Sequence, residues 1–126
     1  MTVTKSTAAR NAACNAVVDL IDDGTNISYG TLDVLTSDST VISTLRCSYP
    51  AFYNAVDGTA TAYQIYDNTA FIDGTASSFG FYDRNRTFVW GGDITGPGGG
   101  GTLELNSVSI PADSTVSVTE AKYKVP

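Results

Sequence analysis

Apolar residues recur at helical spacing only near the start of the chain. In STAARNAACNAVVDLIDDG, the positions Ala9, Ala13, Ala16, Val17, Leu20 and Ile21 fall along one side of a helical wheel. That predicts one amphipathic helix with a narrow, alanine-rich stripe. Ser6 or Thr4 stands where an N-cap belongs, and Gly24 stands just past the end, where a left-handed residue closes a helix. Small side chains let a helix backbone sit close to its neighbour, so the stripe is expected to lie on a sheet or in a groove of a partner subunit. Asp19, Asp22 and Asp23 crowd the last turn, where the helix dipole disfavours negative charge. Packing is therefore expected to hold this helix, with the Asp22–Asp23 pair a solvated helix end.

After Gly30 the period shortens to two, in segments rich in Thr, Val, Tyr and Phe. The alternation predicts strands over residues 29–35, 41–49, 59–66, 74–82, 87–93, 102–108 and 115–123. In VISTLRCSY, Val41, Leu45, Cys47 and Tyr49 share one face while Thr44, Arg46 and Ser48 share the other, as in an antiparallel sheet with one wet side. Asp-Gly recurs at residues 23–24, 57–58 and 73–74, each time before a threonine, and marks tight turns. SSFGFYDRNRTFVWGGD reads as a hairpin: Ser77, Phe79 and Phe81 alternate with Ser78, Gly80 and Tyr82, and Phe88 and Trp90 return. Its tip either presents Arg84 and Arg86 to a carboxylate on a partner or is a solvated turn. Pro111 fits a turn between the last two strands. The predicted fold is mainly β, an antiparallel β-sandwich or partly open barrel of about seven strands with one N-terminal α-helix. One domain is expected over residues 1–126, with an arm and helix in 1–24 and a β-domain in 25–126.

Charge and composition narrow the chemistry. A net charge of −6 with seven scattered basic residues argues against nucleic acid and against an anionic membrane as partners. No apolar run reaches the length of about 18 residues that a spanning helix needs, and no hydrophobic stretch follows Lys5 and Arg10. Neither a spanning helix nor a secretory signal is expected, and synthesis is expected in a cytoplasm. Two cysteines, Cys14 and Cys47, are too few for a disulfide framework and are expected as small buried apolar groups. Histidine is absent, which removes the Ser-His-Asp and Cys-His relays and the usual imidazole metal ligand. No enzyme activity and no cofactor are expected. Asp67, Asn68 and Asp73 lack the spacing of a calcium loop and read as a turn.

The run VWGGDITGPGGGGTLEL invites comparison with a phosphate-binding loop, but Thr102 stands where the lysine belongs and a strand follows where a helix should begin. It is expected to link two β-segments or to form a tip that meets a neighbour. Trp90 with Tyr53, Tyr63, Tyr66 and Tyr82 forms either core or a platform for stacking sugars.

The stretches TVTKSTAARNAACNAVVDLIDDG and GTASSFGFYDRNRTFVWGGDI, set in a body rich in Ser, Thr and Gly, resemble small virion structural proteins of tailed bacteriophages. Within that group the size and acidity look most like a capsid decoration, or cement, protein. The resemblance implies a homo-oligomer, most often a trimer, clamped on the outside of the major capsid protein lattice, so that the chain resides on the virion. It also implies that the N-terminal segment, here residues 1–22, contacts the capsid or a neighbouring copy. The candidate contact residues are Ala9, Ala13, Val17 and Leu20 on the helix and Arg84 and Arg86 on the hairpin tip. The alternative is a tail or baseplate component, or a carbohydrate-binding sandwich on the virion surface.

Overall fold

A computed structural model describes residues 4–125, so residues 1–3 of the expected arm lie outside the described residues. Helix α1 (Thr7–Asp19) begins where Ser6 Oγ accepts from the Ala9 N–H at 3.1 Å, the expected cap. It tightens into a 3-10 turn, Leu20–Asp22, and Gly24 follows with φ +121°. None of the helices among the described residues is long and apolar enough to cross a membrane.

Eleven strands follow: β1 (Thr31–Leu35), β2 (Val41–Arg46), β3 (Thr59–Thr61), β4 (Asn68–Thr69), β5 (Gly74–Thr75), β6 (Ser78–Tyr82), β7 (Phe88–Thr95), β8 (Leu103–Leu105), β9 (Ser109–Ile110), β10 (Thr115–Val116) and β11 (Val118–Lys124). The fold is mainly β with one N-terminal α-helix, as the alternation predicts. Seven strands form one sheet in the order β2-β1-β6-β7-β8-β11-β3, and β10-β4 and β5-β9 form two small ribbons. Its edges approach through a bridge between Cys47 and Ile65, but the sheet does not close into a barrel. The expected strand over 115–123 is divided between β10 and β11, and that over 74–82 between β5 and β6.

Two features of the predicted sheet are corrected. Its pairing is mixed, because β7 and β8 run parallel at Ile94↔Leu103 and Thr95↔Glu104. Nor is one side of β1 and β2 wet: Ile42, on the face opposite Leu45, is fully buried, and Thr31 and Asp33 are buried too. A Cβ at Gly74 would meet Ile42 at 3.2 Å, which places the β5 ribbon over that strand.

A parallel pair ordinarily needs a connection of about a dozen residues or more. Residues 96–102 manage it in seven because only two residue pairs overlap. The loop stays in one sheet and is fixed by hydrogen bonds. Gly98 N–H donates to Glu104 Oε1 at 2.8 Å, Gly99 N–H to the Gly96 carbonyl at 3.0 Å, and Gly101 N–H to Thr95 Oγ1 at 3.1 Å. Gly98 and Gly100 take φ of +75° and +79°, and a Cβ at Gly99 or Gly101 would run into Thr95. The glycines thus serve a sharp return that links two β-segments, β7 and β8. Of the Asp-Gly turns, residues 57–58 form a two-residue hairpin loop, with both positions at positive φ and paired bonds between Val56 and Thr59.

The helix is rotated relative to the predicted stripe. Cys14, Val18 and Ile21 are its buried residues, Ala13 and Val17 are half-buried, and Ala9, Ala16 and Leu20 are exposed. It packs against β3, β11 and β7 of its own chain. Polar side chains on its inner flank dock it onto residues 51–58. Asn11 Oδ1 accepts from Gly58 N–H at 2.7 Å, Asn15 Oδ1 from Ala55 N–H at 2.7 Å, and Asp22 Oδ1 from Ala51 N–H at 2.9 Å. The apolar periodicity overlooked this face because its anchors are amides and a carboxylate.

Backbone crowding separates two glycines of β7 and its loop. A Cβ at Gly91 would lie 2.2 Å from the Phe79 carbonyl oxygen, whereas one at Gly96 meets nothing within 4 Å. Gly91→Ala is expected to lower stability by about 1–3 kcal/mol, as overpacking does. Gly96→Ala is expected to stay within about 0.5 kcal/mol of the parent, both being read from urea unfolding.

Candidate functional site

The β6-β7 hairpin forms as predicted, with paired residues Phe81↔Trp90 and Gly80↔Gly91 and a tip at residues 83–86. Its two arginines both turn back onto their own chain. Arg86 Nη2 meets Asp33 Oδ2 at 2.9 Å and Arg86 Nη1 meets Thr31 Oγ1 at 2.6 Å, while its guanidinium sits 4.2 Å from the Tyr82 ring centroid. The Asp33 side chain is only 4% exposed, and Thr44 Oγ1 donates to its other oxygen at 2.8 Å. Cross-strand register explains this grouping: Asp33 lies opposite Thr44 on β2 and Gly80 on β6, and the rings of Tyr82 and Phe88 cover Gly80. Arg84 Nε donates to the Ile27 carbonyl at 2.7 Å, fastening residues 23–30 to the hairpin. Both arginines of the tip are engaged within the chain, while Asn85, Arg86 and Thr87 stay exposed to solvent.

Of the helical candidates, Ala9 and Leu20 face outward, whereas Ala13 and Val17 flank the seam with the sheet. Asp22, expected to be solvated, is half-buried. Its carboxyl is pushed up from the ordinary aspartate range by burial first, and by Asp19 and Asp23, against the pull of the Ala51 N–H and Arg84. Cys14 and Cys47 are free and buried, as expected. Burial raises both thiols, Cys47 to about 12 with Asp22 adding to the effect, so neither is poised as a nucleophile. Asn68 lies in β4, and the Asp73 carboxylate accepts from the Ala112 N–H. Among the described residues, no group of three or more Cys, Asp or Glu converges as metal ligands.

The aromatic residues divide sharply. Trp90 is 9% exposed and sits among Phe52, Phe79, Phe81 and Tyr123, so it is core. Tyr53 and Tyr63 are exposed and side by side, with ring centroids 4.7 Å apart, and Tyr49 and Val56 stand exposed on the same loop as Tyr53. Arg46 lies between Tyr29 and Tyr66, 5.0 and 4.6 Å from their centroids, at a shallow cleft of about 320 Å³. This loop, residues 49–56, is the surface that periodicity missed: Tyr49, expected on the face of Leu45 and Cys47 at the end of the strand over 41–49, lies beyond β2 and is exposed, and the rest falls between predicted strands. Its aromatic content was the signal that marked it. Comparison with protein-family models, curated proteins and solved structures gave no match.

Two variants test the polar staples. Arg86→Ala leaves the buried Asp33 carboxylate without its counter-charge and is expected to cost about 1–3 kcal/mol in denaturant unfolding. Asp22→Asn keeps the acceptor for Ala51 but removes the charge. Because the folded pKa of Asp22 lies above the unfolded one, its penalty is full above the raised value and vanishes as pH falls through the ordinary aspartate range. The variant should therefore melt at a higher temperature than the parent at pH about 7, with the gain gone by about pH 3, below the ordinary value of about 3.9.

Proposed function

We propose that the chain is a non-catalytic structural protein that attaches to a larger protein assembly. From the resemblance of its helical and hairpin stretches, we infer that the assembly is the head of a tailed phage, with the chain as a decoration protein on the outside of the major capsid lattice. The exposed aromatic loop carries the attachment reading: Tyr49, Tyr53 and Val56, with neighbouring Tyr63, are each more than half exposed. Tyrosine is enriched where proteins meet because its ring supplies apolar area while its hydroxyl stays satisfied by water or a partner. The remaining polar inventory fits a structural role. Arg84, Arg86, Asp22, Asp33, Asn11 and Asn15 are all engaged in holding the fold. On a lattice, modest affinity at each site suffices when an oligomer engages several sites at once.

The adjacent Tyr53 and Tyr63 rings favour a second reading, a surface module that stacks a sugar, now without Trp90 as its centre. Mass spectrometry of purified particles tests the first. Copy number of the same order as the major capsid protein is expected, and none or a handful per particle would overturn it. Joint replacement Tyr53→Ala and Tyr63→Ala is expected to weaken attachment to empty heads by about tenfold or more. If attachment is unchanged while the parent chain binds a glycan array, the sugar reading takes its place.

A further inference from the structure

Strand β8 separates β7 from β11 for only part of their length. It pairs with β7 at Ile94 and Thr95 and with β11 from Val118 to Ala121, and Thr102 adds one bond by accepting from Lys122 N–H at 3.0 Å. Beyond that point the glycine loop leads away, while β7 extends back through Trp90 and β11 extends on to Lys124. Residues 88–93 of β7 consequently pair with β6 alone. What remains is a slot of about 520 Å³, with Trp90 and Gly91 on one side, Lys122 and Lys124 on the other, and Gly101 and Thr102 at one end. It continues the line of β8. Its flanking strands are therefore separated by roughly twice the usual 4.7–4.9 Å strand spacing, the width of one missing strand.

The slot is closed beneath and open outward. Trp90 and Tyr123 meet below it, with ring centroids 4.7 Å apart, and α1 lies behind, where Cys14 Sγ donates to the Tyr123 carbonyl at 3.3 Å. Along β11 the exposed Lys122 and Lys124 alternate with half-buried Tyr123, and Gly91 across from them is exposed. Trp90 Nε1 is buried with no hydrogen-bond partner. Lys122 is engaged by Glu120 at 2.5 Å, with Glu104 close enough to add to its raised pKa, whereas Lys124 makes no ion pair among the described residues.

We propose that this slot accepts an extended peptide segment of a partner protein, running on in line with β8 and carrying an acidic side chain that meets Lys124. A peptide offers donors and acceptors along both edges, which two flanking strands require and an anionic sugar does not provide in that register. The inference goes beyond the capsid reading, since it concerns what the slot accepts whichever protein supplies it.

Trp90 is the chain's single tryptophan, so one indole resonance and one fluorophore report on the slot. The probe is a pool of capped heptapeptides alternating Val and Thr around a central Asp, added to the full chain labelled with ¹⁵N. A changed indole N–H resonance and slowed amide exchange at Gly91 and Lys124 are expected. A pool with proline at alternate positions, which lacks half the donors, and glucuronate are both expected to leave these signals in place. Lys124→Gln, at an exposed position, should fold normally and bind the Asp pool several-fold more weakly. The proposal is overturned if the Asp pool moves neither the indole nor the amides, if the proline pool binds as well, if glucuronate reproduces the shift, or if Lys124→Gln binds like the parent.

Discussion

The rings gathered around Trp90 are the constraint on which the rest of the structure rests. Phe81 stacks on Trp90 at 5.0 Å, Phe79 and Tyr123 meet it edge-on, and Phe52 approaches to 6.0 Å. Such pairs contribute about 0.5–1.5 kcal/mol each beyond the area they bury. Their placement matters more than their sum. Phe79 and Phe81 come from β6, which pairs with the β7 strand of Trp90, whereas Tyr123 comes from β11 and Phe52 from the loop that follows β2, so the cluster joins the β6-β7 hairpin to segments that do not pair with it. Where the sheet lacks a strand between β7 and β11, ring contact takes over from backbone hydrogen bonds.

A second tier of interactions is polar and local. Three side-chain oxygens of the helical segment accept backbone N–H groups of residues 51–58, and Arg86 covers Asp33 on the opposite side of the sheet. Each satisfies a donor or a charge that would otherwise be stranded in a partly desolvated place. The loop that bears Tyr49, Tyr53 and Val56 is thus pinned from below by the helix while its apolar side chains stand in solvent. A surface held rigid before it meets a partner loses less conformational freedom on binding.

Much of this was legible in the chain. The two-residue period marked the β-rich body, the Ser6 cap marked the helix start, and the aromatic hairpin appeared where Phe79, Phe81 and Trp90 alternate. Part of the helix face departs from the predicted stripe for a physical reason: alanine is counted as apolar yet is cheap to expose, so Ala9 and Ala16 mimic burial that Cys14 and Val18 supply, while Ile21 is buried as the stripe predicts. The parallel β7-β8 pair was hidden because the connection is too short to suggest it, and a glycine run does not declare its direction. The contacts of Arg86 depend on cross-strand register, which a one-residue bulge elsewhere in the sheet can shift. Local pattern determines elements well, whereas the side-chain groupings arise from how those elements align.

The two sequestered thiols add something to the chain's behaviour over time. Cys14 lies in the seam between helix and sheet, and Cys47 lies where the two sheet edges approach each other. With both sulfurs held in the unreactive protonated form, oxidants and electrophiles reach them only during an opening event. The order in which they become reactive therefore records which seam parts first. The chain carries its own pair of clocks, one for release of the helix and one for separation of the sheet edges.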